Sequence, residues 1–162
     1  MKRRNSPKQL TYDEALNKAA SYCSLAEKCV ADVTAKMEVW GVEKSFIEKI
    51  INQLKADKFI DEQRFAEYYA RDKFHFNKWG KVKIAIMLRS KNIDAEKIKN
   101  ALDSINEHEY EQTVCELLRE KTKNLNYKSD YEKQGKLFQF ALNRGFEKKT
   151  IEAALKTLRY SR

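Results

Sequence analysis

The sequence predicts an all-α protein made of three tandem three-helix repeats, and three observations carry that expectation. Only four Gly and one Pro occur in 162 residues, too few punctuators for the tight turns of a sandwich or barrel, while Ala, Leu, Lys and Glu dominate. Apolar residues recur at helical spacing in one segment after another, separated by short polar breaks. One pattern of six apolar positions returns three times along the chain.

The elements follow in order. The opening MKRRNSPKQL lacks apolar periodicity and reads as a flexible basic arm over residues 1–10. Helical spacing begins at Thr11 and Tyr12 and gives a first helix from about Tyr12 to Cys23 and a second from about Leu25 to Trp40. Gly41 stops the second, at a place where a left-handed C-terminal residue is wanted. The third helix runs from about Glu43 to Asp57, and Asp61 stands before EQRFAEYY as the N-cap of the fourth, about Asp61 to Phe76. Its carboxylate accepts from the first free backbone amides. The fifth, about Lys81 to Lys91, closes at Asn92, the usual substitute for Gly in a left-handed turn, and Asp94 caps the sixth, about Ala95 to Ile105. Helices at about Glu107 to Asn124, Asp130 to Arg144 (ended by Gly145) and Lys148 to Arg159 complete nine.

The turn residues Gly41, Asn92 and Gly145 lie 51 and 53 residues apart, and counting from them exposes the repeat. Before the turn stand Val33, Ile84 and Leu137, then Met37, Leu88 and Ala141; just after it come Val42, Ile93 and Phe146. Farther on stand Ile47, Ile98 and Ile151, then Ile51, Leu102 and Leu155, then Leu54, Ile105 and Leu158. These spacings place each set on one face of two helices that clasp each other across the turn. The expected divisions are 11–59, 60–106 and 107–162, because a unit of about fifty residues buries little by itself and gains stability by stacking.

A formal charge of +9 implies a polyanionic partner, and Lys2, Arg3, Arg4 and Lys8 already concentrate part of it at the start of the chain. Cys23, Cys29 and Cys115 are odd in number and form no close pair, which reads as reduced thiols in a cytoplasmic protein. No apolar run is long enough for a membrane span. His75 and His108 lie in no metal-binding pattern, no phosphate-cradling or nucleophile motif occurs, and the carboxylates alternate with Lys along helix faces. The expectation is therefore no catalytic residues, no metal and no cofactor.

What remains is the stretch RFAEYYARDKFHFNKWGKVKIAIMLRSK. Here Arg64, Arg71, Lys73, Lys78, Lys81, Lys83, Arg89 and Lys91 alternate with Phe65, Tyr68, Tyr69, Phe74, Phe76 and Trp79. Cations that neutralise phosphates beside rings that stack on bases form a nucleic-acid pattern. For the rings the competing assignment is core: Phe65, Tyr68 and Tyr69 have helical spacing, so at least two are expected inside. Lys78, Lys81 and Lys83 gather at a helix start, where positive charge opposes the helix dipole and so points to a partner.

This same region resembles the RecX family. The features are an acidic pair followed by RFA, an R-x-K/R step, and then a Gly with a basic helix; here they read IDEQRFAEYYARDKF and FNKWGKVKIAIMLRSKNI. Cys23 and Ser24 stand where a family member usually carries Arg-Ser, and Asn92 stands in place of the usual Gly. The resemblance implies an elongated, curved, non-enzymatic helical monomer with a basic face. It implies binding to the RecA nucleoprotein filament, weak direct binding to DNA, and suppression of ATP turnover, strand exchange and co-protease function. Two other classes fit the charge and helicity: a sequence-tolerant DNA- or RNA-binding protein with no recombinase partner, and a repeat scaffold for other proteins. Against groove reading, the third helices, such as EKSFIEKIINQLK, carry carboxylates that repel phosphate.

Overall fold

The computed structural model describes residues 9–160. Of the arm expected over residues 1–10, all but Gln9 and Leu10 lies outside the described residues, and Leu10 packs against a hydrophobic core. Nine helices and no strand occur among the described residues. They are α1 (Tyr12–Leu25), α2 (Val30–Val39), α3 (Lys44–Ala56), α4 (Glu62–His75), α5 (Lys81–Ser90), α6 (Ala95–Asp103), α7 (Glu107–Lys123), α8 (Asp130–Asn143) and α9 (Lys148–Tyr160).

The caps act as their chemistry suggests. Thr11 and Glu14 exchange hydrogen bonds in a capping box, with Glu14 N–H donating to Thr11 Oγ1 at 3.2 Å and Thr11 N–H to Glu14 Oε2 at 2.9 Å. Asp61 accepts from Arg64 N–H at 2.9 Å, and Asp94 from Lys97 N–H at 3.0 Å. Gly41, Asn92 and Gly145 all take positive φ, at 72°, 60° and 89°. At Gly41 the N–H of Val42 bonds to Met37 C=O and the N–H of Gly41 to Glu38 C=O, which ties off the last carbonyls of α2.

Two features depart from the expected pattern. The second helix does not begin at Leu25: α1 runs through that residue, Ala26 is extended, and α2 starts at Val30 after Cys29. Cys29 is buried and its N–H reaches Asp32 at 3.5 Å, so tertiary burial makes a break where no Gly or Pro announces one. Lys58 and Lys78 also take positive φ, a conformation for which lysine gives no sequence signal.

The eighteen positions of the repeat are the framework of the interior. All are buried except Ile47, Leu102 and Leu158, which are half-buried. By compactness the chain groups into two units. One comprises the described residues up to Phe65 together with Lys91–Ile93. Its core joins Ala15, Ala19, Val33, Met37, Ile50 and Leu54 from α1, α2 and α3, with Tyr22 edge-on to Trp40 at 5.9 Å. The other comprises Ala66–Ser90 and the described residues from Asp94 onward. Its buried aromatic centre is Tyr110, whose ring lies 5.5 Å from Phe74 and 5.3 Å from Phe146.

Candidate functional site

The cations of the second unit lie on α4, on α5 and in the turn between them, and that turn is held by the turn between α8 and α9. Gly80 N–H donates to Arg144 C=O at 2.8 Å, and Val82 N–H donates to Gly145 C=O at 3.0 Å. The two backbones touch because both residues lack a side chain. A Cβ on Gly80 would fall 2.2 Å from the carbonyl of Gly145, and one on Gly145 would fall 2.3 Å from Lys83 Cβ. Between these bonds, Lys81 N–H donates to Tyr110 Oη at 2.9 Å, and that hydroxyl donates to Glu147 Oε2 at 2.6 Å. Burial and the bond to the Glu147 carboxylate push the Tyr110 hydroxyl far above the ordinary tyrosine range, so it stays protonated and keeps both bonds.

On this frame Trp79 lies half-buried, with Lys83 Nζ 4.4 Å and Lys73 Nζ 5.7 Å from its ring. Lys73 also lies 5.4 Å from the Tyr69 ring and 3.3 Å from Asp72. Lys81 serves the fold as well as the surface: its Nζ is 2.6 Å from Glu107 and 4.7 Å from the Tyr110 ring. The carboxylate of Glu107 offsets the positive charge at the helix start, which the sequence assigned wholly to a partner. Arg71, Lys78 and Arg89 are different. Their side chains make no hydrogen bond, ion pair or ring contact among the described residues, and Arg71 and Arg89 are exposed.

The remaining two cations belong to the first unit and are both engaged. Arg64 donates to Glu27 Oε1 at 2.6 Å and to Lys58 C=O at 3.1 Å. Lys91 Nζ is 2.7 Å from Asp32 Oδ1. Burial alone would raise the Asp32 carboxyl, but the hydrogen bonds from Lys91 and Cys29 outweigh it and hold the group below the usual carboxylate range. A carboxyl depressed in the folded state stabilises the fold above its unfolded pKa, about 3.9, and this contribution is lost as pH falls through the lower folded value. Asp32→Asn is therefore expected to lower the melting temperature at neutral pH and to flatten its decline below about pH 4. Parallel acid limbs in melting curves of the two proteins would refute this.

Among the rings, Phe65 and Phe74 are core, Tyr69 is half-buried, and Tyr68 and Phe76 stand 50% and 83% exposed. One cation went unread in the sequence. Arg144, just before Gly145, donates from Nη1 to Asn77 C=O at 2.9 Å and lies 5.3 Å from the Phe140 ring. Only its neighbourhood to the repeated turn could have marked it. His75 Nδ1 lies 3.3 Å from Glu109 and His108 Nε2 lies 2.9 Å from Gln112. No group of three or more His, Cys, Asp or Glu that could hold a metal occurs among the described residues, and no described helix is long and apolar enough to cross a membrane.

Comparison with known proteins bears on the same stretch. Residues 61–102 match the family model described as RecX, second three-helix domain, and all eight cations fall inside that span. The chain is 29% identical over 138 residues to the regulatory protein RecX of Oceanobacillus iheyensis, which covers 85% of this chain and 50% of that protein. It is 27% identical over 147 residues to the regulatory protein RecX of Prosthecochloris aestuarii, covering 90% of this chain and 93% of that one. The first of these relatives is thus about twice the matched length, while the second is matched nearly end to end. The crystal structure of RecX from Lactobacillus salivarius superposes with a TM-score of 0.83 at 23% identity, over 92% of this chain and 97% of that one, and shares its fold.

Proposed function

We propose that this chain, which belongs to the RecX family of non-enzymatic regulatory proteins, binds the RecA nucleoprotein filament and inhibits its ATPase, strand-exchange and co-protease activities. The observation that carries the reading is the unspent positive charge of Arg71, Lys78 and Arg89 within the stretch that matches the family's second three-helix domain. Charges left without an internal counter-ion attract phosphate and carboxylate. The Trp79 ring between Lys73 and Lys83 adds a polarizable surface beside them.

Such regulation involves no reacting atoms of this chain. A ligand that binds one state of a filament more tightly than another, or occupies its groove, changes assembly and turnover by differential affinity alone. The chain acts in this way as a cytoplasmic monomer, and the three helix triplets are the modules with which it spans its target. Direct binding to bare DNA is weak and falls steeply with salt, because each phosphate contact contributes roughly 0.9 to the logarithmic slope on duplex and somewhat less on single strands.

The test is a titration against labelled single-stranded DNA with and without RecA and ATP, followed at one salt concentration. Tighter binding in the presence of RecA is expected, together with a fall in ATP turnover that requires RecA. Equal affinity in both arms would instead favour a general nucleic-acid binder with no recombinase partner.

A further inference from the structure

The helix α5 is apolar on two sides. Ile84, Ala85 and Leu88 are buried, as a packed helix requires, yet Val82 and Ile86 are 44% and 54% exposed. With Arg89 they stand at i, i+4 and i+7, one stripe along the outer face of a ten-residue helix. Helix propensity does not explain them, since β-branched side chains are poorer surface choices than the Lys or Glu used elsewhere in this chain. Nor do they suit phosphate, which offers nothing to a methyl group.

We infer that the Val82, Ile86 and Arg89 face of α5 is a protein-docking surface, fitted to a shallow apolar patch bordered by carboxylates. The inference rests on the filament reading and divides its basic stretch by chemistry. The preceding turn, with Lys78 and Trp79, and Lys83 in the first turn of α5 face phosphate, and the Val82, Ile86 and Arg89 face of the helix faces protein. Charge complementarity names the occupant: Arg89 ends the stripe with no ion pair among the described residues, so the partner supplies an acidic group one helical turn beyond the apolar contact. The face is also presented rigidly. Val82 N–H is tied to Gly145 C=O and Lys81 N–H to Tyr110 Oη, so docking immobilises little that is not already fixed.

The double variant Val82→Ala/Ile86→Ala tests it, because alanine keeps helix propensity on an exposed face and removes only apolar area. Affinity for the RecA filament on single-stranded DNA is expected to fall at least about tenfold, and affinity for bare single-stranded DNA to stay the same. Ile86→Glu, which places a carboxylate against an acidic partner, is expected to weaken filament binding further at equal helicity. A parallel loss on bare DNA would make the face a nucleic-acid contact and overturn the inference. Unchanged filament affinity would overturn it as well, as would a wild-type dimer that dissociates in the double variant without loss of filament binding. If the wild type itself gains nothing from RecA, the filament reading fails and this one with it. If the wild type gains and both variants gain equally, only the docking surface is wrong.

Discussion

Gly80→Ala is expected to destabilise the protein by about 3 to 5 kcal/mol, among the largest losses open to a single methyl group here. The added Cβ meets backbone, at 2.2 Å from the carbon and oxygen of Gly145 and 2.3 Å from Phe146 N, and no side chain can rotate to make room. The two turns must separate. With them go the bonds from Gly80 to Arg144 and from Val82 to Gly145, and the bond from Lys81 to Tyr110 is strained. Gly41→Ala is the control. Gly41 has a positive φ but nothing within 4 Å of an added Cβ, so only the left-handed backbone penalty applies, about 1 to 2 kcal/mol. Urea unfolding of both variants measures the difference, and a loss at Gly80 no greater than at Gly41 would show that the turns do not constrain each other.

The second large effect is on activity. Reversing Arg71, Lys78 and Arg89 to Glu together is expected to reduce inhibition of RecA by about a hundredfold or more, since like charges set against each other across an interface cost several kcal/mol. The melting temperature should hardly change, because these side chains have no partner to lose among the described residues. Reversing Arg64, Lys81 and Lys91 should do the opposite in stability, placing carboxylates against Glu27, Glu107 and Asp32. Full inhibition by the first triple variant, measured as RecA ATP turnover, would remove the basic surface from the mechanism.

The framework of the fold was legible because it is written in local periods. Gly41, Asn92 and Gly145 announce their own backbone conformation, and the apolar residues counted from them occupy the interior. Asp61 and Asp94 act within three residues of their own position, and so does Thr11. What sequence could not yield depends on distance along the chain. The partners of Arg64 and Lys91 are 37 and 59 residues away, so eight cations that look alike in sequence divide into paired and unpaired sets only in three dimensions. Gly80 reads as a turn residue, and nothing local shows that its missing side chain makes room for Gly145. Cys29 opens a helix through burial and a carboxylate three residues on, a role its type does not advertise.

The start of α5 has one more implication. A helix N-terminus within a basic stretch is a natural phosphate cradle, because its first amides have no intrahelical acceptor. Here the amides of Gly80, Lys81 and Val82 are already taken, by Arg144, Tyr110 and Gly145 in turn. A phosphate arriving at this turn finds long, rotatable side chains instead of a rigid ring of N–H groups. Lysine side chains on flexible stems would hold no single phosphate in a fixed register, whereas a ring of backbone amides would.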